Sequence, residues 1–138
     1  MNYLIRTTLC LALLGNLVAS AQLVITVSPP SIVGQKAVVP LEIKNGLGEK
    51  VTSARAVIFL LDEQGKMVGQ GTRWVIGGTP DRPGLAAGAT NVFNFVITSD
   101  KSFSTTNLTT KVSFSRVVLE GGKLADVAKQ VTIQSTKK

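Results

Sequence analysis

The side chains with most to offer a binding partner lie close together in the second half of the chain. Arg73 and Trp74 are adjacent, and the loop Gly77 to Gly88, GGTPDRPGLAAG, follows with Asp81 and Arg82 between two prolines. Arg and Trp are enriched where binding energy concentrates. Pro80 and Pro83 stiffen the loop, which lowers the entropy lost when it is engaged. Arg73, Trp74, Asp81 and Arg82 are therefore the candidate partner-binding residues. The competing role for the same segment is a plain crossover between two sheets with Trp74 packed in the core. That plainer role is the one expected.

Candidates for catalysis are few. The chain has no His, and its one Cys, Cys10, lies in an apolar N-terminal run. Ser-His and Cys-His nucleophiles are thereby excluded. Soft and borderline metals lose their usual ligands. Asp62, Glu63 and Asp81 do not recur at the spacing of a calcium loop. Gly65-Lys66 lacks the rest of a phosphate-binding loop. No catalytic residue, metal or cofactor is assigned. A small exported hydrolase with an unrecognised carboxylate or Ser-Lys site is one alternative, and a carbohydrate-binding module built on Trp74 is another. Phe93 and Phe95 flank Asn94, a spacing that can offer two rings to stacked bases. As alternate residues of one strand they are expected in the core instead. Asn107-Leu108-Thr109 is a glycosylation sequon, meaningful in a host that glycosylates exported proteins.

The N-terminus reads as an address. Arg6 precedes an apolar run from Leu9 to Val18, and Ala19-Ser20-Ala21 forms a small-x-small cleavage site before Gln22. These are the parts of a secretory leader over residues 1–21, and the run is too short for a comfortable membrane span. Leu9 before Cys10 is not the small residue that a lipid-anchoring signal wants. The domain that remains, residues 22–134, has no Cys or Tyr, so it folds on its core without disulfides. No stable membrane insertion is expected after cleavage. The net charge is +7, with one unit belonging to Arg6. The basic residues are scattered rather than striped, which argues against nucleic acid and allows a mild attraction to anionic envelope polymers.

Short runs rich in Val, Ile, Thr and Phe, divided by turn residues, fill the domain. That is the pattern of a sandwich or barrel. Strands are expected at Leu23–Ser28, Lys36–Lys44, Ser53–Asp62, Met67–Ile76, Asn91–Thr98, Thr109–Glu120 and Leu124–Ile133. Pro40 lacks a ladder donor and predicts an edge or a bulge. The run SARAVIFLLD is apolar on both faces and predicts a central strand, with Val57, Phe59 and Leu61 as a patch if left partly exposed. Asp62 is expected to bond the amides of the turn that follows it. Gly69 and Gly71 predict a bulge or the close approach of another backbone. Residues 135–138 are expected to form a disordered tail. The fold class is all-β, an immunoglobulin-like antiparallel β-sandwich of about seven strands.

The stretch from Val39 to Ser99 resembles the bacterial immunoglobulin-like β-sandwich modules of the FxLYD type. Ile58-Phe59-Leu60-Leu61-Asp62 stands at the F-x-L-Y-D strand, with Ile58 in place of Phe and Leu61 in place of Tyr. Leu60, Asp62, Gly65, Gly88 and the Phe93/Phe95 pair match that pattern, and Ala87 replaces its proline. The resemblance implies an exported, non-catalytic module of the cell envelope, periplasmic or extracellular. Its partner would be another envelope protein or polymer. A strand edge or the Gly77–Gly88 loop would be its working surface. The leader makes one direct prediction: the exported protein begins at Gln22, and an intact mass of the secreted product checks it.

Overall fold

The computed structural model describes residues 21–136. The expected leader therefore lies outside the described residues except for Ala21, as do Lys137 and Lys138. In order along the chain the strands are β1 (Leu23–Val27), β2 (Ser31–Val33), β3 (Lys36–Asn45), β4 (Val51–Leu61), β5 (Met67–Ile76), β6 (Thr90–Thr98) and β7 (Thr109–Leu119). A single-turn helix, α1 (Val127–Gln130), leads into β8 (Val131–Ser135).

The strands form two layers, one of five strands and one of three. In the larger layer β3 lies between β6 on one flank and β1 with β2 on the other, and β8 pairs with β1. In the smaller, β4 lies between β5 and β7. The protein is an all-β sandwich. All pairs are antiparallel except β1 with β8, which run parallel. Pro29-Pro30 breaks β1, and β2 resumes along the same flank of β3, so the two make one bent strand. This is why eight labelled strands occupy the places of about seven.

Alternation decides which residues meet between the layers. Leu23 and Ile25 of β1, Val39, Leu41 and Ile43 of β3, and Phe95 of β6 are fully buried. They face Ala54, Ala56, Ile58 and Leu60 of β4, equally buried. The central position expected for the SARAVIFLLD run is the one observed. Phe93 and Phe95 share the inner face of β6, with ring centroids 6.4 Å apart and edge to face. Phe95 is in the core and Phe93 packs at its margin.

Three local expectations need correction. Pro40 sits neither at a sheet edge nor at a bulge: β6 pairs beside it, and Ser28 N donates to its carbonyl. The donor that Pro40 lacks would have met Ser28 in return, on the last rung before Pro29-Pro30 ends β1. The missing bond thus falls where the ladder stops. Gly69 and Gly71 do make room, but for side chains of the facing sheet. A Cβ on Gly71 would lie 3.1 Å from the Phe95 ring, and one on Gly69 3.3 Å from Ile97 Cγ2. The expected bulge is present beside them: Leu60 pairs with Gly69 and Leu61 with Met67, so Val68 of β5 is the extra residue. The last expected strand, Leu124–Ile133, is split. After the Gly121-Gly122 turn the chain returns along β7, with Leu119 N donating to Lys123 O and Ala125 N to Val117 O. It then leaves at Asp126, crosses as α1, and joins β1 of the other layer as β8. The strand runs through Ser135, and Thr136 N still donates to Val27 O, so the ladder includes residues expected in the tail.

Among the described residues the one buried polar side chain is Asn45, which has no exposure. Its Nδ2 donates to Glu49 O at 3.0 Å and Leu85 O at 2.9 Å, and its Oδ1 accepts from Leu47 N at 3.0 Å. Its backbone bonds Ala89 O and receives Gly88 N. Both crossovers at this end of the sandwich, β3 to β4 and β5 to β6, are tied to this one residue. Asn45→Leu takes the side-chain partner from the buried amide of Leu47 and from the carbonyl of Glu49, while Leu85 O keeps its bond from Val51 N. It is expected to cost about 2–4 kcal/mol, read from the urea midpoint at unchanged slope.

Candidate functional site

The crossover Gly77–Gly88 is held from within. Arg82 lies half-buried with Nη1 donating to Trp74 O at 3.1 Å, and its guanidinium sits 5.4 Å from the Phe93 ring centroid. Thr79 Oγ1 donates to Asp81 at 2.7 Å, and Arg82 N donates to Thr79 O. Farther along, Leu85 is buried and exchanges both backbone bonds with Val51. Of the four candidate residues, Arg82 is spent on closing the loop against β5 and β6, and Asp81 on its turn.

The hydroxyl of Thr79, then the backbone amide of Asp81 itself, and more weakly the charge of Arg82, hold the Asp81 carboxyl below its ordinary value. A depressed carboxylate contributes stability that is present above its unfolded pKa and lost as pH falls through the folded one.

Arg73 and Trp74 part company. Arg73 reaches to the other layer, where its Nε donates to Val96 O of β6 at 3.2 Å. Trp74 corrects the expectation of a core position. It lies half-buried on the outer face of the smaller sheet, with the Arg55 guanidinium 5.5 Å from its ring centroid. A register shift in β5 opposite Ala54 and Arg55 puts Val75 and Ile76 inward and leaves the indole outside. Gly78 packs on that indole: a Cβ there would lie 2.5 Å from Trp74 Cβ, at a φ of +92°. Arg55 Nε also donates to Ser115 Oγ of β7 at 3.0 Å. Val57, Phe59 and Leu61 follow along the same outer face, each half-buried rather than open. Asp62 does the work expected of it, with Oδ1 accepting from Gln64 N and Lys66 N, each at 2.9 Å.

The two sides of the sandwich differ. On one side β5 and β6, though not paired, approach each other through Arg73 and over the two glycines. On the other, β7 and β8 do not pair. Ile133 pairs with the fully buried Ile25 and shares its inward direction, yet is 38% exposed. Val112 and Val131 border the same opening and are half-buried. No strand among the described residues lies against the outer edge of Thr109–Ser115. At its lower end is a recess of about 220 Å³, lined by Pro29, Pro30, Leu108, Thr110 and Thr136 among others. Thr110 Oγ1 is shielded there without a hydrogen-bond partner. This edge was not singled out from the sequence. Its signal is weak: Leu124–Ile133 alternates well enough to suggest a strand that would cover it.

A recess of about 150 Å³ beside Arg82 and Phe93 carries a carboxylate, that of Asp81. Among the described residues no helix is long and apolar enough to cross a membrane. The Asp81 carboxyl, followed by NMR, is expected to titrate below the usual carboxylate range, and Thr79→Ala is expected to move it upward. An unchanged midpoint in the variant would contradict the turn described. Comparison with known proteins finds no matching family model, no similar curated protein and no similar solved structure.

Proposed function

We propose that this chain is an exported, non-catalytic binding module of the cell envelope that works through the free edge of β7. The observation that carries the reading is the departure of the chain from β7 after Ala125. That departure leaves Thr109–Ser115 paired with one strand, β4, and leaves inward-facing Ile133 partly exposed. An edge of this kind offers a row of backbone donors and acceptors to a further strand.

The Gly77–Gly88 loop is the weaker choice of surface. Its Arg82 and Asp81 are committed to internal bonds, and Leu85 is a core residue. Export rests on the leader read at residues 1–21. The envelope setting rests on that leader and on the resemblance to FxLYD-type modules. The absence of His and Cys from the domain and the isolated carboxylate of Asp81 support a binding role over a catalytic one.

Photo-crosslinking in the exporting cell tests this. A benzophenone side chain placed at Ser113, exposed on β7, is expected to yield a discrete adduct with an envelope protein. The same group at Ala86, exposed on the loop, is expected to yield none. Adducts from Ala86 alone would move the surface to the loop, and no adduct from either position would remove the binding role.

A further inference from the structure

We infer that the β7 edge accepts an extended segment of a partner protein whose residues alternate between apolar and acidic. The inference rests on the binding role proposed above and names the chemistry of the partner.

The register fixes what each side of an added strand would meet. Thr110, Val112 and Phe114 pair with Leu60, Ile58 and Ala56, so all three point inward. Across the opening stand Val131 and Ile133 of β8. An incoming strand on this edge would place alternate side chains into that gap, and apolar ones fit it. The residues between, Lys111 and Ser113, point to the outer face, where Arg55 also reaches Ser115. The sequence of β7, TTKVSFSRVVL, holds two cations and no acid. Side chains beside Lys111 and Arg116 on a neighbouring strand are favoured when acidic and penalised when basic.

The same charges argue against a second copy of this chain as the occupant. An antiparallel self-pair of β7 centred between Ser113 and Phe114 sets Lys111 of each copy opposite Arg116 of the other. Like charges across a strand pair are unfavourable. The hydroxyl of Thr110 lies at the lower end of the groove, shielded and without a hydrogen-bond partner.

Three fluorescein-labelled peptides of about ten residues test the inference against the purified protein. One alternates valine and glutamate, one valine and lysine, one serine and glutamate. Anisotropy is expected to give the valine–glutamate peptide an affinity about ten-fold above either of the others. Lys111→Glu/Arg116→Glu, at two exposed positions, is expected to keep the thermal midpoint and reverse the preference toward valine–lysine. Amide shifts on binding are expected at Thr109–Ser115. Equal binding of serine–glutamate would reduce the effect to general attraction for a polyanion and overturn the inference. So would failure of valine–glutamate to bind, a preference the double variant leaves unchanged, or concentration-dependent dimerisation through this edge. If the peptide fails while the Ser113 adduct forms, the edge stands and the partner chemistry is wrong. If both fail, the edge is not the working surface.

Discussion

The sandwich depends on one buried amide. Asn45 ends β3 with its side chain fully out of water and all of its polar atoms bonded within the protein. A buried polar group is stabilising when every partner is present and costly when one is missing. Here the partners come from two separate crossovers, so neither can shift without breaking bonds made by the other. Residues 22–134 hold no Cys, so this network takes a place that a disulfide fills in other small domains. It also explains why the loop between β5 and β6, prolines and charged residues included, is part of the frame. Its return segment is locked through Leu85, Gly88 and Ala89 to Asn45 and Val51.

Closing one side of the sandwich tightly leaves the other side with the unfinished work. Gly69 and Gly71 let Phe95 and Ile97 reach β5, and Arg73 spans to β6. Opposite, the chain gives three residues to β7 and then changes layers through α1. The resulting parallel pair of β8 with β1 is stitched on its outer face by Gln22, Thr132, Thr26 and Gln134. A free edge carries an aggregation risk, and charged side chains on it reduce that risk. Lys111 and Arg116 serve this protective role whichever segment finally occupies the edge. Discouraging a second copy and selecting an acidic partner are two results of the same two charges.

Much of the frame was legible from side-chain alternation. The strand around Ile58 and Leu60, the inward Phe95, and the turn bonded by Asp62 all follow from local chemistry that neighbours do not alter. What escaped reading depended on neighbours. The three residues of β2 are too few to show a period. Pro40 looked unfit for an interior strand because its flank partner, and the point where that partner ends, were invisible. Trp74 was expected inside because large aromatics bury well, but a one-residue register shift turned it outward onto Arg55. The segment Leu124–Ile133 alternates like a strand, and a four-residue helix within it carries no measurable helical period. The open edge of β7 is a consequence of that switch, so it was hidden for the same reason.

The Gly77–Gly88 loop is framework and the β7 edge is open. Residue-resolved amide hydrogen exchange on the unliganded protein reads both at once. The prediction is slow exchange at Asn45, Leu47, Leu85 and Gly88, with every other amide from Thr109 to Ser115 exchanging fast. Uniform protection along Thr109–Ser115 together with rapid exchange at Leu85 and Gly88 would contradict it.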